Sequence, residues 1–121
     1  MDNARDPGWF RDPWVRKIQS NYLFMRGEFL MARGDTGEAI DAYRQVTQLA
    51  YDSRSAHFNT ALMMLRNNRL EEAWQQAQAV LALDAWYLEA YTLLAQIRTR
   101  EGRPAEADAL LKKAGQLGRK P

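Results

Sequence analysis

The sequence predicts an all-α array of three helix–turn–helix repeats, and three observations support this fold class. An alanine recurs every 34 residues, at Ala39, Ala73 and Ala107, and a glutamate precedes it each time. Five positions before these alanines stand the turn-forming residues Gly34, Asn68 and Gly102. Twelve positions before the same alanines stand the small residues Gly27, Ala61 and Ala95. A fixed period of this length is the signature of stacked helical repeats. We therefore expect one folded domain in which first and second helices alternate along the chain.

The repeat period divides the chain into four segments. These are a leader with the start of the first helix at 1–19, and repeats at 20–53, 54–87 and 88–121. The leader carries two Asp-Pro pairs, at 6–7 and 12–13. Aspartate before proline is typical of a helix start, because aspartate caps the helix and proline suits its first position. We expect a short turn near 7–11 and a long first helix from 13 to 33.

Three aromatic side chains, Trp9, Phe10 and Trp14, cluster in the leader. One interpretation is a cap that covers the outer face of the first repeat, since exposed apolar surface needs a cover. The other is a segment that docks into a groove, its own or that of a second copy. The cluster is therefore a possible self-interface.

The boundaries of the helices can also be predicted. The three turn-forming residues can adopt the left-handed conformation that ends a helix. Asp35 is expected to cap the second helix of the first repeat, with Glu38 completing a capping box. Pro104 is expected to occupy the first position of the second helix of the third repeat. Gly27 inside a helix costs about 1 kcal/mol relative to alanine. We therefore expect a second helix to approach it closely, with Ala39 facing it.

Composition excludes several classes of function. The chain of 121 residues carries a net charge of only +2, so nucleic-acid binding is not indicated. It has no cysteine, which rules out disulfides, thiolate catalysis and zinc–thiolate sites and leaves the compartment open. No apolar run approaches the length of a membrane span. The pattern is that of an ordinary globular domain.

The repeat most closely resembles the tetratricopeptide repeat, whose pattern is Trp-x2-Leu-Gly-x2-Tyr, then Ala-x3-Phe, then Pro. The first unit has Leu23-x2-Arg26-Gly27-x2-Leu30 and then Ala39-x3-Tyr43. The second has His57-x2-Thr60-Ala61-x2-Met64 and then Ala73-x3-Ala77. The third has Tyr91-x2-Leu94-Ala95-x2-Arg98 and then Ala107-x3-Leu111. The likeness covers residues 20–119 and departs from the pattern at Arg26 and Arg98, which stand at usually apolar positions. It implies a right-handed superhelical array.

No residue carries convincing catalytic chemistry. His57 is the only histidine and has no partner in a recognised triad order, so we expect it to pack in the core. The repeated glutamates suit the positive end of the helix dipole in first turns, and they are Glu38, Glu71, Glu72 and Glu106. The two arginines at apolar positions are expected to reach the edge of the helix bundle. We predict no catalytic residue, no metal, no cofactor and therefore no enzyme.

The resemblance implies that the first helix of each repeat lines a concave groove. The residues it assigns to partner binding are Asn21, Phe24, Met25, Glu28, Met31, Phe58, Asn59, Leu62, Arg66, Leu93 and Gln96. Apolar side chains would anchor a segment of a partner and amides would hydrogen-bond its backbone. Relatives that hold the acidic C-termini of heat-shock chaperones use a clamp of lysine, asparagine and arginine. Only Asn59 matches that clamp, so a chaperone-tail receptor is not expected.

The sequence therefore predicts a scaffold that binds another protein, as an apolar peptide or helix. Self-assembly through the leader and an uncapped C-terminal end is the alternative, because head-to-tail contacts can propagate. A secretion-type chaperone is a variant of the first hypothesis. RNA binding, known in other helical repeats, is the weakest alternative because the net charge is small.

Overall fold

The computed structural model describes Gly8 and residues 11–118, and this part of the chain consists of helices and their connections, without strands. The helices are α1 (Pro13–Arg33), α2 (Thr36–Leu49), α3 (Arg54–Arg66), α4 (Leu70–Leu83), α5 (Leu88–Arg100) and α6 (Pro104–Gly118). The all-α repeat array is therefore confirmed. The chain divides into two compact units, residues 1–51 and residues 52–121, which are described separately below.

The ends of the helices follow the sequence signals at most positions. The Asp12 side chain accepts a hydrogen bond from the backbone N–H of Trp14 at 2.9 Å, and Pro13 opens α1 as predicted. Pro104 likewise opens α6. The three turn-forming residues all adopt positive φ angles, which are 87° at Gly34, 59° at Asn68 and 76° at Gly102. Each of these turns therefore has the left-handed conformation predicted for it.

The predicted capping box at the start of α2 is wrong. Asp35 occupies the N-cap position, but its side chain makes no capping hydrogen bond. Its carboxylate instead lies 3.3 Å from Nε of Arg33, so the neighbouring guanidinium competes with the backbone N–H groups of the helix for the same oxygen atoms. Ser53 supplies a side-chain cap elsewhere, because its hydroxyl accepts the backbone N–H of Ala56 at 3.2 Å.

The first unit is the pair of helices α1 and α2, which pack against each other. Its core contains the fully buried Ile40 and Tyr43 of α2, with Leu30 of α1. Gly27 is approached closely, as predicted, and the nearest atoms are those of the Tyr43 ring. A Cβ atom on Gly27 would lie 2.5 Å from Cε1 of the Tyr43 ring. The absence of a side chain at this position therefore makes room for an aromatic ring.

The second unit contains α3 to α6. Here α3 pairs with α4, α5 pairs with α6, α4 packs on α5, and α3 contacts α5. The core residues include Ala73, Ala77 and Val80 of α4 and Leu94 and Ile97 of α5. The Arg100 side chain of α5 donates a hydrogen bond to the backbone carbonyl of Leu65 in α3 at 2.6 Å. The first helices α3 and α5 are thus fixed to each other near their C-terminal ends.

Candidate protein-binding surface

The expected partner-binding residues of the first unit lie on α1 and differ in exposure. Asn21, Met25 and Glu28 are exposed, and Met31 is half-buried. Phe24 is also half-buried, and its ring lies 5.4 Å from that of Tyr43, centroid to centroid. Phe24 is therefore only partly accessible to a partner, because its ring also packs on that of Tyr43.

In the second unit, α3 carries four of the expected residues. Asn59 and Arg66 are exposed, while Phe58 and Leu62 are half-buried. The Phe58 ring makes an edge-to-face contact with Tyr87, with 5.3 Å between the centroids. Edge-to-face geometry is a favourable arrangement for an aromatic pair. Phe58 is therefore held in one orientation while part of its ring stays accessible.

The two expected residues on α5 behave differently. Gln96 is exposed, but Leu93 is only 2% exposed and belongs to the core of the second unit. The assignment of Leu93 to the surface is therefore corrected, because a side chain this deeply buried cannot touch a partner. The difference arises because α5 packs on α6, α4 and α3, so much of its surface is covered.

An aromatic and ionic cluster supports Phe58 at the start of α3. The guanidinium of Arg54 lies over the Tyr87 ring, 4.6 Å from its centroid, and pairs with the carboxylate of Asp84. The hydrogen bond from Arg54 lowers the pKa of the Asp84 carboxyl, and the backbone N–H of Trp86 lowers it further. Asp84 therefore remains charged and holds Arg54 on the ring against which Phe58 packs.

The residues considered for catalysis have structural partners. His57 is buried, with Nδ1 2.6 Å from Oε1 of Gln76. The Arg98 guanidinium stacks on the Trp74 ring at 3.6 Å from its centroid. It also pairs with Glu101 at 2.6 Å and with Glu106 at 3.1 Å. Arg98 is therefore a cross-link between helices of the second unit, whereas Arg26 is exposed.

The glutamates that recur with the repeat lie in the first turns of second helices, where they were expected on dipole grounds, namely Glu38 of α2, Glu71 and Glu72 of α4, and Glu106 of α6. Across the described residues there is no group of three or more His, Asp or Glu side chains that could hold a metal ion. The helices of this part of the chain are also too short or too polar to span a bilayer.

Of the predicted self-interface, Trp9 and Phe10 lie outside the described residues. Trp14 is exposed at the start of α1. The same helix also exposes Ile18, Tyr22 and Phe29, which were not among the residues expected at a surface. Their spacing of four and seven residues is visible in the sequence, but an apolar helical face of this kind is equally typical of a buried core.

The comparisons with known proteins agree with this fold. The sequence model of the tetratricopeptide repeat matches residues 20–53 and 88–117. No curated protein sequence matches the chain significantly. Among solved structures, MamA superposes with a TM-score of 0.70 at 17% identity, over 94% of this chain and 71% of that one.

Two further solved structures are similar to the chain. The second TPR domain of Spaghetti (RPAP3), bound to an HSP90 peptide, superposes with a TM-score of 0.69 at 21% identity, over 88% of this chain and 98% of that one. The TPR domain of Arabidopsis OM64 gives 0.66 at 20% identity, over 84% of each chain. At these identities the likeness establishes the fold.

Proposed function

Because the chain belongs to the tetratricopeptide-repeat family, a family of protein-interaction repeats, we propose that it is a non-catalytic scaffold that holds an apolar peptide or helix of a partner on its first helices. The observation that carries this proposal is the arrangement of α3 and α5 in the second unit. There, half-buried Phe58 and Leu62 lie on the same helix as exposed Asn59, and exposed Gln96 lies on the contacting helix.

The proposed mechanism divides the work between two types of side chain. Phe58 and Leu62 contact apolar side chains of the partner, because their exposed portions gain by leaving water. Asn59 and Gln96 each offer a donor and an acceptor to the partner's backbone. Since Tyr87 and the Arg100 hydrogen bond already fix the helices, little conformational entropy is lost on binding.

In the first unit, the exposed residues Asn21, Met25 and Glu28 of α1 form a second proposed contact surface, flanked by half-buried Phe24 and Met31. Methionine is flexible and polarizable, so Met25 and Met31 can adapt to different apolar partners. We assign Arg66, exposed at the end of α3, to the edge of the surface in the second unit.

The charge of these surfaces favours an apolar partner over an acidic one. The Spaghetti domain similar to this chain binds the HSP90 peptide SRMEEVD, which contains three acidic side chains. In this chain the residues exposed on first helices include Glu28 and Glu89, and Arg66 is the one cation assigned to these surfaces. One cation does not balance three acidic side chains, and the two glutamates oppose them. Leu93 is buried and cannot contribute a contact. We therefore propose a partner whose binding segment is apolar and not strongly anionic.

The test is selection of binding peptides from a phage-displayed library against the full chain, followed by affinity measurements with variants. We expect enriched peptides to carry apolar anchors, and Asn59→Ala and Gln96→Ala each to weaken binding about 5- to 30-fold, since a lost hydrogen bond leaves a desolvated group behind. Phe58→Glu should abolish binding. Circular dichroism checks that the variants stay folded.

The matched control is Gln78→Glu, which adds a negative charge at an exposed position of the second helix α4. It should leave peptide affinity within twofold of the parent. Equal loss from Gln78→Glu and Phe58→Glu, or full affinity in the Asn59 and Gln96 variants, would place the binding site elsewhere.

A further inference from the structure

One helix carries most of the exposed apolar side chains of the described structure. Of the nine large apolar residues that are exposed within residues 11–118, five lie on α1, with exposures from 52% to 68%. We refer to these five as the α1 stripe, which consists of Trp14, Ile18, Tyr22, Met25 and Phe29. Single exposed apolar residues are ordinary on a protein surface, but a continuous row of them marks an interaction site.

The spacing of the α1 stripe indicates the kind of partner that covers it. Ile18, Tyr22, Met25 and Phe29 are separated by four, three and four residues. This alternation of four and three residues keeps all four side chains on one face of the helix. It is the spacing by which two helices pack knobs into holes along their length. The α1 stripe therefore fits another helix.

The second unit shows that this face of a first helix is normally covered. Two repeats further along the chain, the positions of Tyr22, Met25 and Phe29 correspond to Ala90, Leu93 and Ile97 of α5. All three of those residues are buried, and α5 packs on α4. The repeat positions that are buried in α5 are therefore exposed to solvent in α1, where the side chains are larger and mostly aromatic.

The chain itself offers two helical faces that could cover the α1 stripe in a second copy. The outer face of α6 is lined by Asp108, Leu111, Lys112, Gly115 and Gln116. Among these only Leu111 is a large exposed hydrophobic residue, so stacking α1 on α6 would bury charged and amide groups against aromatic rings at a desolvation cost. The α1 stripe of another copy is apolar throughout and matches it.

We propose that the α1 stripe is the interface of a symmetric homodimer, in which α1 of one copy packs against α1 of a second copy. At about 200 Å² for a large side chain, the exposed fractions correspond to roughly 600 Å² of apolar surface per copy. Two copies would then bury about 1,200 Å², which reaches the lower end of the range for specific, stable protein–protein interfaces. A two-fold arrangement also closes on itself and stops at two copies.

The first test is light scattering behind size exclusion across a concentration series of the full chain. The parent chain should rise from 14.0 kDa to twice that mass and no further. The double variant Tyr22→Glu/Phe29→Glu should remain a monomer at all concentrations, because both side chains are more than half exposed and the charges would be buried only in the dimer.

The control is Gln19→Glu, which adds one negative charge, half of what the double variant adds, at an exposed position about 100° around the helix from Ile18. It should dimerise as the parent does. A parent chain that stays monomeric at every concentration, a mass that keeps growing beyond two copies, or a Tyr22→Glu/Phe29→Glu variant that still dimerises would each overturn the proposal.

Disulfide cross-linking then tests the two-fold geometry. The chain has no cysteine, so Tyr22→Cys introduces a single thiol at the middle of the α1 stripe. Oxidation should link two copies of this variant, whereas Leu111→Cys on α6 should not self-link. Cross-linking between a Tyr22→Cys chain and a Leu111→Cys chain would instead show head-to-tail stacking and overturn the two-fold dimer. Met25 belongs both to the α1 stripe and to the proposed contact surface of the first unit, so the independent readout is the peptide surface of the second unit. Tyr22→Glu/Phe29→Glu should bind peptides that depend on Phe58 and Asn59 as the parent does, and the two proposals then fail separately.

Discussion

Replacing Gly27 with alanine is expected to destabilise the first unit, although alanine is the better helix former. In the middle of α1 a Gly-to-Ala change alone would stabilise the helix by about 1 kcal/mol. The new Cβ atom, however, would lie 2.5 Å from Cε1, 2.8 Å from Cδ1 and 3.0 Å from Cζ of the Tyr43 ring. These distances are far inside van der Waals contact, so the ring or one of the helices has to move.

The ring has little freedom to move, which sets the magnitude. Tyr43 is fully buried, and Phe24 lies against it at 5.4 Å between centroids. Overpacking a core of this kind costs about 1–3 kcal/mol, and we take the upper part of that range because three ring atoms clash at once. After the gain in helix propensity, the net loss is about 1–2 kcal/mol. For a chain of this size, that corresponds to a fall in Tm of roughly 4–8 °C.

The assay is thermal unfolding followed by circular dichroism, with a double-mutant cycle. In a Tyr43→Leu background, Gly27→Ala should change sign and stabilise the chain by up to about 1 kcal/mol, because the ring that clashes is gone. The matched control is Gly115→Ala in α6, where no heavy atom lies within 4 Å of the place that a Cβ atom would take and a Tm increase is expected. Equal effects of Gly27→Ala in both backgrounds, or a higher Tm for Gly27→Ala alone, would refute this reasoning.

Two more substitutions test the packing of the second unit. Asp84→Asn should lower Tm at neutral pH and have little effect in acid. A carboxyl with a lowered pKa stabilises the fold above its ordinary pKa, and this contribution is lost as the pH falls through the lowered pKa. An equal loss of Tm at both pH values would exclude the pairing with Arg54. Arg98→Ala should cost about 1–2 kcal/mol in urea unfolding, since it removes the stacking on Trp74 together with two ion pairs. Arg98→Lys should restore part of that stability, and a silent Arg98→Ala would contradict the assigned role.

The 34-residue period predicted most of the fold because it repeats local signals. The bounds of α1 at 13 and 33 follow from Asp12-Pro13 and from the left-handed Gly34, which are both local features of the chain. The cap at Asp35 was mispredicted for a similarly local reason, since Arg33 takes its carboxylate. The sequence shows that a side chain is able to cap a helix, but it does not show whether the backbone N–H groups or a neighbouring guanidinium will bind that side chain.

Features that depend on which helix packs where could not be predicted from the repeat. The period shows that Gly27 is small, but it does not show that the ring of Tyr43, four residues beyond Ala39, fills the space. Leu93 shares its register position with exposed Met25 and Asn59, but it is buried in a helix that packs on α6, α4 and α3. The pairing of Arg54 with Tyr87 and Asp84 left no signal at all, since it joins residues about one repeat apart whose types are common on any surface.

Binding of an apolar partner segment by the first helices of the second unit is tested most directly by NMR titration of the labelled chain with a peptide selected from the library. We predict chemical-shift changes centred on Phe58, Asn59 and Leu62 of α3 and on Gln96 of α5. Changes confined to the second helices α4 and α6, with the α3 and α5 resonances unmoved, would contradict this binding mode.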